Sequence, residues 1–109
     1  MTTTIREGSI VRLRVSVGTK IGRLGVVVRI HRPTGDVVVV WGTGTRRAHL
    51  PHVLVTPREA AGLALGLTKP RYFYGHAQWI GTAAKVEAQP GVAPGFLLAA
   101  LRELLAPGM

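Results

Sequence analysis

The chain contains no cysteine, which excludes disulfides and thiolate metal sites and fits a reducing, cytoplasmic setting. It contains no asparagine, which excludes N-linked glycosylation. Its five acids are scattered and none pairs with another in sequence. The longest apolar stretches fall far short of the ~20 residues a spanning helix needs, and Arg102 and Glu103 interrupt the last of them. The start, Met1 to Ile5, is too polar for a signal peptide. No loop ends in Gly-Lys-Ser/Thr, and neither Ser9 nor Ser16 stands in a nucleophile elbow or beside a base. His49 and His52 are close together, but His31 and His76 lie far off in sequence, so no zinc-type ligand set is evident. These absences argue against an enzyme, a cofactor, a metal site and a membrane role.

What the chain does have is positive charge, unevenly placed. The net charge is +9 over 109 residues. Ten of the fourteen Lys and Arg residues fall within residues 1–58, where only Glu7 and Asp36 oppose them. Residues 59–109 hold the other four against three acids. A basic region of this kind favours acidic partners, most often nucleic acid.

The basic half has the rhythm of strands. Val11, Leu13, Val15 and Val17 alternate with Arg12 and Arg14, the period of a half-buried strand. Gly18, Gly22 and Gly25 punctuate a loop carrying Lys20 and Arg23. Val26 to His31 alternates again, with Arg29 on its polar face. Pro33-Thr34-Gly35-Asp36 marks a turn. The run from Val37 to Trp41 reads as a central strand, with Trp41 at a mouth or in the core. Thr45 to Leu50, with Arg46 and Arg47, is expected as a fourth strand, and Val53 to Val55 as a closing fifth. Five short strands joined by tight turns predict a small antiparallel barrel over residues 8–56, after a loose lead-in at 1–7. The whole is then mostly β with C-terminal α.

The second half reads as a helical and aromatic extension, residues 57–109. Thr56, Pro57 and Glu59 make a helix start of capping-box type. The helix runs from Ala60 to Leu67, weakened by Gly62 and ended near Gly66. Arg71 to Lys85 is aromatic and suits an extended segment or hairpin; Gln89 to Gly95, with two Pro-Gly steps, suits a loop. A second helix, Phe96 to Ala106, carries Leu97, Leu101, Leu104 and Leu105 on one stripe. A helix apolar almost all round is buried, either on its own sheet or in a partner, so this stripe is a candidate interface for self-association or another protein.

The first half also carries a family likeness. Glu7-Gly8-Ser9-Ile10-Val11-Arg12-Leu13, Gly18-Thr19-Lys20, Gly25-Val26-Val27-Val28-Arg29-Ile30 and Asp36-Val37-Val38-Val39-Val40-Trp41-Gly42 resemble the KOW pattern and its Tudor-like relatives. The resemblance covers residues 7–55. It implies a Src-homology-3-like small barrel of the kind found in ribosomal proteins and transcription elongation factors, which bind RNA, DNA or other proteins.

The expected binding residues are Arg12, Arg14, Lys20, Arg23, Arg29, Arg46 and Arg47, all on polar strand faces or the glycine loop. Gly22 and Gly25 would let backbone approach a phosphate. The plainer reading is that these cations are the solvated face of each strand. Tyr72, Tyr74 and Trp79, flanked by Lys69 and Arg71, are candidates for stacking on unpaired bases; the plainer reading is core. The leading expectation is a basic nucleic-acid-binding protein of low sequence specificity. The alternative is an interaction or structural module, in a transcription complex or a phage or plasmid assembly, docking through the barrel and the last helix.

Overall fold

A computed structural model describes residues 5–17, 20–47 and 49–105. Most of the expected lead-in, Gly18 of the glycine loop and the expected helix end at Ala106 lie outside the described residues. The described chain runs β1 (Ser9–Leu13), β2 (Leu24–His31), β3 (Asp36–Thr43), β4 (His52–Val55), α1 (Ala60–Leu65), β5 (Arg71–Gly81), a 3-10 turn (Ala83–Lys85), β6 (Val86–Val92) and α2 (Gly95–Leu105). The six strands form one antiparallel sheet in the order β4-β5-β3-β2-β1-β6. No helix among the described residues is long and apolar enough to cross a membrane.

The five-stranded barrel expected over residues 8–56 is therefore corrected. That segment supplies four strands, and the sheet is completed from the second half by β5 and β6. Of the strand expected over Thr45 to Leu50, the described residues, 45–47 and 49–50, lie in no strand, because β5 already holds the free side of β3. Gln89 to Val92 extends β6 instead of forming a loop. Pro90 is tolerated because β6 is an edge strand.

The sheet does not close on itself, but it is strongly curved. Thr82–Lys85 joins β5 to β6 although four inter-strand steps separate them in the sheet. Flat, those steps would span roughly 19 Å. A four-residue link that is partly 3-10 rises only about 2 Å per residue there and cannot reach so far. Three irregularities permit the bending, between Ser9 and Val11, between Val27 and Arg29, and between Val40 and Gly42.

Strand alternation then divides the apolar residues between two cores. Ile10, Val26, Val28, Val40, Val55 and Phe73 face the helices and pack with Ala61, Leu65, Leu97 and Leu101. Val11, Leu13, Val27, Val37, Val39 and Val86 form the second core, with Trp41 and Trp79 against them. The first core draws on both halves of the chain, so α1 and α2 cover one face of a shared sheet.

α1 keeps half of the expected capping box: the Glu59 carboxylate accepts from the Thr56 N–H and hydroxyl, at 3.0 and 2.9 Å. No side chain caps its first turn in return. Its C-terminus closes at Gly66, whose φ of 68° suits glycine, with the Leu67 N–H donating to the Gly62 carbonyl. On α2, Leu97 and Leu101 are fully buried against the chain's own sheet, and Leu104 and Leu105 are half-buried on the same core. The stripe expected at a partner interface thus lies on the sheet, and it is Phe96 that stays exposed.

Candidate functional site

At one end of the sheet β1 and β3 finish and β2 and β5 begin. Cross-strand register places Arg12 opposite Leu24 and Gly42 opposite Phe73. Alternation puts Arg71 on the same side as Phe73. The connections at this end bring in Lys20, Gly22 and Arg23 from the β1–β2 loop and Gly66, Leu67 and Thr68 from the turn after α1. Together these residues line a cleft of about 170 Å³. Four cations, Arg12, Lys20, Arg23 and Arg71, meet there, and no carboxylate lines it. None of the four forms a salt bridge among the described residues.

Two of these cations are held by the fold. Arg12 Nη1 donates to the Gly22 carbonyl at 2.9 Å. Arg23 lies 4.3 Å over the Trp41 ring and its Nε donates to the Val17 carbonyl at 3.4 Å. A guanidinium stacked on indole is fixed in plane while its terminal amines remain available. Glycines make the room. Gly22 has a φ of 83°, as the loop turn requires. At Gly42 a Cβ would come within 2.9 Å of Phe73 Cζ and 3.2 Å of Arg71 Cβ. Gly25, expected to help backbone approach a phosphate, instead permits close packing of β2 on β3, since a Cβ there would sit 2.7 Å from the Val40 carbonyl oxygen.

The seven expected binding residues do not all converge. Arg12, Lys20 and Arg23 line the cleft. Arg14 lies in a separate trough with Ile5, Ala83 and Val86, paired at 3.5 Å with Glu87. Arg29 is exposed beside the β2 irregularity, away from the cleft residues. Arg46 and Arg47 are exposed on the loop after β3. Arg71 is the residue that sequence reasoning leaves out of the set. Its signal is the alternation Arg71-Tyr72-Phe73-Tyr74, which becomes informative once that segment is a strand. Arg71 Nη1 lies 3.2 Å from where a Cβ would stand on Gly44, the residue that opens the Arg46–Arg47 loop.

No family model matches the chain, and no curated protein is similar to it in sequence.

The aromatic residues mostly build. Tyr74 is only 1% exposed, so neither ring face is open to a base. Its hydroxyl accepts from the Arg47 N–H at 2.6 Å and donates to the Thr45 carbonyl at 2.9 Å, pinning the Arg46–Arg47 loop. Tyr72 stacks on Tyr74 with centroids 6.5 Å apart, and His52 meets both rings. Trp79 is half-buried on the second core, over Gly81. Trp41 belongs to the same core, and its Nε1 is buried without a partner among the described residues. No group of three metal-ligating side chains occurs among the described residues.

Proposed function

We propose that this protein binds nucleic acid through its phosphates, with low sequence specificity. The observation that carries the reading is the cleft at the sheet end, where Arg12, Lys20, Arg23 and Arg71 meet with no acid among its lining residues. Unpaired cations in a concave, glycine-floored site attract phosphate oxygens by charge and by directed N–H donation. Arg46 and Arg47 are exposed on the loop that begins at Gly44, beside Arg71 Nη1. No helix among the described residues is free to enter a groove and read base edges, since α2 is seated on the sheet, which favours backbone contact over base readout. The curvature that brings β5 round to β6 supports the KOW-like and Tudor-like resemblance as a bent small sheet, with β4 and α1 as additions to it. A nucleic-acid partner and a chain free of cysteine both suit the cytoplasm. The alternative, docking on another protein through the sheet domain and the last helix, draws less support from that helix, whose leucine stripe packs on the chain's own sheet.

The test is a polarisation titration of single-stranded RNA, single-stranded DNA and duplex DNA against the protein and its Arg71→Glu variant. The expected result is binding at low salt that weakens by at least tenfold in the variant, with an unchanged circular dichroism spectrum. Equal affinity for the folded variant, or no binding of any probe by the wild type, refutes the assignment.

A further inference from the structure

The cleft is smaller than a pocket that encloses a whole nucleotide and more strongly charged than one backbone phosphodiester requires. Its volume of about 170 Å³ is below the roughly 300–1,000 Å³ of pockets that enclose whole small molecules. It is several times the roughly 30 Å³ of one water, the scale of a phosphate with part of its hydration. Its lining comes from the β1–β2 loop, from the turn at Gly66, Leu67 and Thr68, and from Gly42 and Arg71 on the sheet. An internal phosphodiester brings one negative charge and has chain leaving in two directions. A terminal phosphate monoester brings about 1.5 to 2 negative charges and three free oxygens, with chain leaving in one direction only. Four cations match the second better. Arg71 Nη1 also lies beside Gly44, two residues before the exposed Arg46 and Arg47.

We infer that the cleft holds the terminal phosphate monoester of a nucleic-acid strand, and that the strand continues over the Arg46–Arg47 loop. This rests on the nucleic-acid reading above and names its ligand more narrowly. Arg12 and Arg23 are the pre-set guanidiniums. Arg71 and Lys20 add the other two cations, and Thr68 supplies a hydroxyl-bearing side chain to the lining.

The experiment compares single-stranded oligonucleotides of one sequence bearing a 5′-phosphate, a 3′-phosphate or hydroxyls at both ends, each labelled away from the end tested. One phosphorylated form is expected to bind about tenfold tighter than the hydroxyl form, the worth of one further charge-assisted contact. Arg71→Ala and Lys20→Ala, each checked for folding by circular dichroism, bring that ratio toward one. Arg46→Ala with Arg47→Ala weakens all three oligonucleotides together. Inorganic phosphate displaces the phosphorylated form first. A ratio of one in the wild type, with salt-sensitive binding intact, overturns the terminal-phosphate inference and leaves the nucleic-acid reading standing. No binding of any oligonucleotide overturns both. A 5′-mononucleotide that binds as tightly as the phosphorylated oligonucleotide overturns the strand-end assignment in favour of a small nucleotide ligand.

Discussion

Replacing Arg102 with alanine tests how the helix layer is fastened to the bent sheet. The irregularity between Val27 and Arg29 leaves Val28 without a cross-strand partner on β3, while Ile30 stays opposite Val37. Arg102 Nε donates to that carbonyl at 2.9 Å, and Arg102 Nη2 meets Glu7 Oε1 at 2.7 Å. Glu7 Oε2 in turn accepts from the Ile30 N–H at 3.3 Å. One ion pair therefore serves both the Val28 carbonyl and the Ile30 N–H. The side chains of Arg102 and Glu7 are 41% and 43% exposed, so solvent screens their mutual attraction and it contributes well under 1 kcal/mol. The larger share comes from the charged donor on a part-buried carbonyl, about 1.5 kcal/mol. Arg102→Ala is then expected to destabilise by about 2 kcal/mol, lowering Tm by roughly 10 °C in a chain of this size. Urea unfolding followed by circular dichroism measures it, with Glu7→Gln and the double variant completing a cycle. Arg102→Lys keeps the charge without the fork and recovers less than half of the loss. A loss below about 0.5 kcal/mol for Arg102→Ala, on the same urea measurement, refutes the argument that these contacts hold α2 to β2.

Gly62→Ala reverses the usual helix expectation. Alanine favours a helix interior over glycine by about 1 kcal/mol, yet a Cβ here would stand 1.8 Å from the Thr56 carbonyl oxygen. Backbone must move, so a net destabilisation of about 1–2 kcal/mol is expected by urea unfolding, and a stabilised variant would contradict the packing of α1. Tyr74→Phe removes the hydroxyl that holds the Thr45 carbonyl and the Arg47 N–H. It is expected to cost about 1 kcal/mol and to speed amide exchange at Arg47, while protection of β2 and β3 stays unchanged.

Local signals make much of the fold legible. Valine alternation with the turn before Asp36 places β2 and β3, and Gly35 does take the left-handed conformation, at a φ of 76°. The leucine spacing of α2 marks the helix, and Gly66 marks the end of α1. What local pattern cannot carry is partnership across the sequence. Arg71 to Gly81 becomes a strand because β3 and β4 pair with it from opposite sides. Gln89 to Val92 becomes one because β1 offers a free edge. Conversely, the segment after β3 that the sequence pattern offers as a strand finds its place beside β3 taken by β5. The site divides along the same line. Arg12, Lys20 and Arg23 are close in sequence and their shared loop is visible there, whereas Arg71 joins them only through the register of β5 on β3. Arg14 alternates with Arg12 in the right rhythm but meets Glu87 across the β1–β6 pair, a contact set by long-range register.

The most direct test of the cationic cleft is the salt dependence of binding to a single-stranded oligonucleotide. Each phosphate neutralised on a single strand contributes about −0.7 to the slope of log K against log salt. If the cleft cations engage phosphate, the wild-type slope is expected to be negative, by at least about 0.7, and Arg12→Ala and Arg71→Ala are each expected to flatten it. A slope near zero, or one that neither substitution alters, contradicts the account.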